Sequence, residues 1–112
     1  MTIDPKVRAH ADAQVVELWP GVLRRTLVWG ERMLRAEIEL PKGAIVEPHN
    51  HVHEQIGYVA WGKLEFTVDG QVMVVEQGGG YLVPSGAVHK VVALEDSIAV
   101  DVFSPVRDEY QD

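Results

Sequence analysis

The strongest constraint in this sequence is a hydropathy period of two that recurs in short runs and never gives way to a sustained helical stripe. Leu34, Ala36, Ile38 and Leu40 alternate with Arg35, Glu37 and Glu39, and Leu64, Phe66 and Val68 alternate with Lys63, Glu65, Thr67 and Asp69. Successive side chains of a strand point to opposite faces, so these runs describe strands with one dry and one wet face. Asp69-Gly70 separates the second run from Gln71-Val72-Met73-Val74-Val75, the pattern of a β-hairpin. Strand-like runs recur at about 15–19, 22–29, 33–40, 56–61, 63–69, 71–76, 81–84, 88–94 and 97–104, divided by Gly and Pro at Pro20-Gly21, Gly30, Pro41-Lys42-Gly43, Gly62, Gly78-Gly79-Gly80 and Pro84-Ser85-Gly86. Many short strands at this spacing predict an all-β sandwich or barrel, closed to remove exposed edges. The polar stretch 1–13 reads as an N-terminal arm and 14–112 as one domain, since 112 residues hold a single core.

Composition excludes several functions. There is no cysteine, which removes disulfides and thiolate metal sites and agrees with a reducing compartment. A net charge of −7 argues against nucleic acid, because phosphate binding needs a clustered basic face. The same charge repels an anionic small molecule, so such a ligand needs local cations. No apolar run approaches the roughly 18–20 residues that span a bilayer. Met1-Thr2-Ile3-Asp4-Pro5-Lys6 lacks the apolar core of a signal peptide. The expectation is a cytoplasmic protein with no membrane partner.

Histidine placement points to a metal. His49, His51 and His53 alternate after Gly43 and Pro48, and His89 follows Pro84-Ser85-Gly86. In extended chain His49 and His51 project to one side, so their imidazoles can converge on one ion, and an imidazole from a distant strand would complete the site. His10, in the polar arm, reads as a surface residue.

These residues resemble the two motifs of the cupin superfamily. The first motif runs Gly43, His49, His51, Gln55, Gly62, with Gln55 where a Glu is usual; the second runs Gly78, Pro84, Gly86, His89, with Ala93 where Asn is usual. The resemblance implies a double-stranded β-helix, or jelly-roll, barrel holding one divalent transition metal ion, with His49, His51, Gln55 and His89 as ligands. An amide oxygen in place of a carboxylate leaves the ion's charge less neutralised and makes it a stronger Lewis acid. Glu54 points to the opposite face of a regular strand. His53 shares parity with Gln55 and competes with it for the ligand position. Imidazole and amide donors suit Ni, Zn, Fe and, less well, Mn, so the metal's identity stays open.

The last strand adds a second clue. Ile98, Val100 and Val102 form one face and Ala99, Asp101 and Phe103 the other. An acid in so apolar a run costs solvation unless it faces a polar cavity or a partner. Either face could be the outer one. The sharper reading places Asp101, Phe103 and, two residues past Ser104-Pro105, Arg107 at the mouth of the metal cavity. The stretch Val92-Ala93-Leu94-Glu95-Asp96, the stretch Asp101 to Asp108 and the stretch His51 to Val59 resemble small bacterial cupins of pectin degradation. That family ketonises 4,5-unsaturated uronates to the linear 5-keto-4-deoxyuronate.

The resemblance implies an isomerase acting on a small-molecule sugar acid. Asp101 would shuttle protons, Arg107 would grip the substrate carboxylate, and Phe103 would wall the sugar ring. An Fe(II) dioxygenase and a non-catalytic binding protein remain as alternatives. Arg24 and Arg25 lie on one strand, so one faces away from the other; either could add positive charge at the cavity, but each is read as solvated. Trp19, Trp29, Trp61 and Tyr58 are read as core or subunit-interface packing, and a homodimer is expected to cover the apolar sheet face that so small a barrel leaves.

Overall fold

The computed structural model describes residues 4–112. Its strands are β1 (Val15–Trp19), β2 (Val22–Trp29), β3 (Leu34–Leu40), β4 (Ile45–His49), β5 (Glu54–Trp61), β6 (Lys63–Val68), β7 (Gln71–Glu76), β8 (Gly80–Val83), β9 (His89–Ala93) and β10 (Ser97–Ser104). Short 3-10 turns at His10–Asp12 and Asp108–Tyr110 are the only helical elements among the described residues, and no helix is long and apolar enough to cross a membrane. The strands form two antiparallel sheets, one ordered β1-β2-β3-β10-β5-β8 and the other β4-β9-β6-β7. This is the all-β barrel that the period of two predicts.

Alternation explains which residues fill the interior. In β3 and β6 the apolar positions are buried and the charged ones stand outside, as their pattern requires. Leu34, Leu64, Val22, Val59 and Val83 are almost completely enclosed, and each contributes about 1.5–3 kcal/mol by leaving water. The β6–β7 hairpin turns on Asp69 and Gly70 with φ of 47° and 83°. Positive φ at both central residues gives a turn whose twist matches that of the flanking strands, and Asp-Gly tolerates it.

Two sequence expectations need correction. The run 45–49, absent from the strand-like runs, is strand β4, pairing Ile45 with Val92, Val46 with Val91 and His49 with His89. Its register slips between Val46 and His49. Pro48 lies in this slip and lacks an N–H, which only an edge strand accommodates, and β4 is an edge. Arg24, read as solvated, is buried between the inward residues Val22 and Thr26 of β2. It reaches the Asp112 carboxylate and lies 4.2 Å from the Tyr110 ring centre. Arg25 faces the other way and meets Glu39 at 2.8 Å. Of the four aromatics read as core or subunit-interface packing, Trp19 and Trp29 lie against the core, Trp19 also lining the cavity described below, while Trp61 and Tyr58 are exposed.

Of the expected arm, residues 1–3 lie outside the described residues, and 4–9 have no regular structure. Arg8 ties that segment down by donating to the carbonyls of Thr26 (3.1 Å) and Asp112 (2.7 Å). His10 stays on the surface, where Nδ1 meets Glu37 at 2.5 Å.

Candidate metal centre and cavity

The strand pairing brings the separated histidines together. His49 ends β4 and His89 opens β9 directly opposite it, while His51 sits in the loop leading to β5. One ring nitrogen from each of these three lies within 4.8 Å of the others. Which nitrogen is settled by the backbone. Nδ1 of His49 contacts the carbonyl of Glu47 (2.9 Å), that of His51 the carbonyl of His53 (3.0 Å), and that of His89 the carbonyl of Ala87 (2.9 Å). A carbonyl only accepts, so each Nδ1 carries the proton and each neutral ring presents its lone pair on Nε2.

Gln55 completes the cluster. It is the second residue of β5, buried, while Glu54 is exposed on the opposite face. Its Oε1 stands 3.2 Å from Nε2 of His51, and the amide also hydrogen-bonds the Asp101 carboxylate. A carboxylate accepts, so the amide nitrogen faces Asp101 and the oxygen faces His51. Two acceptors then meet at hydrogen-bond distance with no proton between them. A shared cation resolves that contact, because two donors about 2.0–2.2 Å from one ion stand about 3–3.5 Å apart. His53 lies outside the three-histidine cluster; its carbonyl holds His51, and its own Nδ1 is buried without a partner. The residues present therefore fit a divalent cation held by His49, His51, His89 and Gln55.

Asp101 lies beside this cluster. Its position in β10 puts it on the inward face with Ala99 and Phe103, and it is 5% exposed. Burial raises its pKa from the ordinary 3.8 to about 6, against the opposing pull of Tyr81, Gln55 and Arg107. Arg107 follows the strand; its Nε donates to Glu109 (2.7 Å) and its guanidinium lies 5.0 Å from the Phe103 ring centre and 4.1 Å from that of Tyr110. Tyr110 is thus sandwiched between Arg107 and Arg24. Phe103 meets His51 edge-on at 5.7 Å and Trp19 flanks His49 at 5.1 Å. The cavity, open on one side, measures about 50 Å³, with Trp19, Ile38, Phe66 and Tyr110 among its apolar walls and Arg107, Asp101 and Gln55 among its polar ones. It opens to solvent where Trp19, His49 and Arg107 are partly exposed.

Sequence reasoning missed Tyr81 and Tyr110, and gave Trp19 and Arg24 other readings. Parity carried a signal for Tyr81 and Arg24, which share strand faces with the core residues Val83 and Val22. Nothing local showed which face was inward.

The three rings give a pH prediction. Burial lowers the pKa of His49 and His89, and lowers that of His51 to about 4, with Arg107 adding to the effect. As pH falls below 6.5 the unfolded chain therefore binds more protons at these rings, for His51 down to about pH 4, and stability falls with falling pH. Asp101 acts oppositely, since its raised pKa relieves a cost as pH falls from about 6 toward 3.8. Three rings outweigh one carboxyl, so the urea midpoint of metal-free protein should fall between pH 7 and 5. A flat or rising midpoint would contradict this.

Residues 36–104 match the cupin domain family. The chain is a cupin. It is 35% identical over 96 residues, 84% of this chain and 87% of the relative, to the pectin degradation protein KdgF of Dickeya dadantii (strain 3937). The structure of KdgF from Halomonas sp. superposes on this cupin with a TM-score of 0.88 at 30% identity, covering 95% of this chain and 98% of the other. An RmlC-like cupin from Shewanella frigidimarina NCIMB 400 gives the same TM-score at 27% identity, covering 96% of each chain.

Proposed function

We propose that this cupin is a metal-dependent isomerase that opens and ketonises 4,5-unsaturated uronates to the linear 5-keto-4-deoxyuronate. The observation that carries the reading is the convergence of three Nε2 lone pairs and the Gln55 oxygen beside a buried acid and a guanidinium in one cavity. Similarity to a pectin degradation protein supplies the substrate class.

The reaction moves protons and no electrons. The O1 hydroxyl loses its proton, the C1–O5 bond breaks to leave an aldehyde and an enolate at C5, and C4 gains a proton to give the ketone. Asp101, with a pKa of about 6, accepts the first proton near neutral pH and returns one to C4. Arg107 holds the substrate carboxylate; Glu109 engages Nε, so the two Nη groups meet the two oxygens. Phe103 and Trp19 wall the ring and keep water from the enolate. A divalent ion at the histidines would supply Lewis acidity to a substrate oxygen.

Unsaturated galacturonate or mannuronate mixed with the protein should lose its conjugated-acid absorbance faster than in buffer, without oxygen uptake. Oxygen consumed on turnover would instead support an iron dioxygenase, and saturable binding without conversion a binding protein.

We also propose that a second copy covers the outer face of β5 and β8, where Ile56 pairs with Leu82 and Ile56, Leu82 and Tyr58 are 56, 52 and 51% exposed. Sedimentation equilibrium should return twice the 12.5 kDa chain mass; a monomer at micromolar concentration would remove the dimer.

A further inference from the structure

One row of the six-stranded sheet runs Thr26, Ala36, Asp101, Gly57, Tyr81 across β2, β3, β10, β5 and β8. Asp101 therefore has a methyl group on one side and no side chain on the other. The phenol of Tyr81 occupies the gap at Gly57: a Cβ there would come within 2.0 Å of Cζ and 2.2 Å of the hydroxyl of Tyr81. Tyr81 and Asp101 stand two strands apart, about 9.5 Å at normal sheet spacing. Only a side chain lying flat along the sheet covers that span, and only a glycine beneath it leaves the room. The hydroxyl then donates to Oδ1 of Asp101. Phe66, from the facing sheet, packs on the ring at 4.2 Å between centres and holds it down. A tyrosine buried only for packing would need a partner for its hydroxyl, but not this partner, nor a notch cut through the intervening strand.

Resting on the isomerase reading, we propose that Tyr81 is a positioning residue, seated in the notch at Gly57, that fixes the rotation of the Asp101 carboxylate. Oδ1 is engaged by the phenol, and Oδ2 becomes the oxygen that exchanges protons with the sugar. An acid–base group must be held within about 0.5 Å of its productive geometry, and because Ala36 and Gly57 offer the carboxylate no contact in its row, its rotation is held by the Tyr81 hydroxyl together with the Gln55 amide. Gly57 acts through Tyr81, and Tyr81 acts through Asp101.

Tyr81→Phe removes one oxygen and preserves the packing on Phe66. It should lower kcat by roughly 10–100-fold, the usual scale for a group that orients a reacting one, with KM within about threefold of wild type and unchanged metal content. Gly57→Ala keeps the hydroxyl but evicts the ring, and should reproduce the fall in kcat. Crystal structures of wild type and Tyr81→Phe give a readout independent of turnover, in which the Asp101 carboxylate should rotate in the variant. A wild type that leaves uronates untouched would defeat the isomerase reading alone, and the crystal comparison would then decide the positioning claim. That claim is overturned by a variant kcat within twofold of wild type, by an effect confined to KM, or by an unmoved carboxylate.

Discussion

Replacing Asp101 with Asn should lower kcat for uronate ketonisation by roughly 10²–10⁴-fold, the range that a positioned acid–base group contributes, while the protein keeps its metal. The substitution is close to isosteric, and Asn can still accept a hydrogen bond from Tyr81 through its amide oxygen, although its own NH2 then faces the Gln55 amide nitrogen and that one hydrogen bond is lost. What it cannot do is take a proton from O1 and return one to C4. Stability separates this from a folding defect. Burial disfavours the charged form of Asp101, which is why its pKa stands near 6, so a neutral amide at that position removes a desolvation cost at neutral pH. That relief and the hydrogen bond lost to Gln55 oppose each other, so the melting temperature should stay near that of wild type as turnover collapses. Measured kcat, metal content and melting temperature together test this. A kcat within about threefold of wild type would remove Asp101 from the mechanism.

Removing the metal should have an effect of similar size. Chelation, or His51→Ala, should reduce turnover by at least roughly 10²-fold, the scale at which loss of an electrostatic stabiliser of a developing oxyanion is felt. His51 is the informative ligand to delete, because it lies in the loop between β4 and β5 and belongs to no strand; its loss spares the His49–His89 pair that closes the sheet. Wild-type protein should recover activity when a divalent ion is restored, and the variant should not. Stability gives a second readout. An ion at 100 times its dissociation constant stabilises the folded state by about 2.7 kcal/mol, so saturating metal should raise the melting point of wild type and leave that of His51→Ala near its metal-free value. Metal-free protein as active as the loaded form would end the metal-dependent reading.

Much of the architecture was legible locally. Alternation in 34–40 and 63–69 named two strands and their dry faces, and Asp69-Gly70 named the turn that follows. These signals survive in the sequence because side-chain parity and turn conformation are properties of adjacent residues. β4 escaped because Pro48 and the irregularity beside it erase the alternation on which a strand is recognised. The histidine spacing was legible for the same local reason, and the similarity to cupin motifs singled out Gln55. The contest between Gln55 and His53 was not decidable there, since both have the parity of a ligand.

The sequence by itself determined the all-β class, the hairpin, and histidines in two separated stretches able to meet at an ion. Only the tertiary structure decided that Arg24 and Asp101 face inward, that Gln55 stands against His51, and that Tyr81 crosses Gly57 to reach Asp101. An alternating strand has two faces, and which one is buried depends on neighbours tens of residues away, through register and the summed burial of the whole sheet.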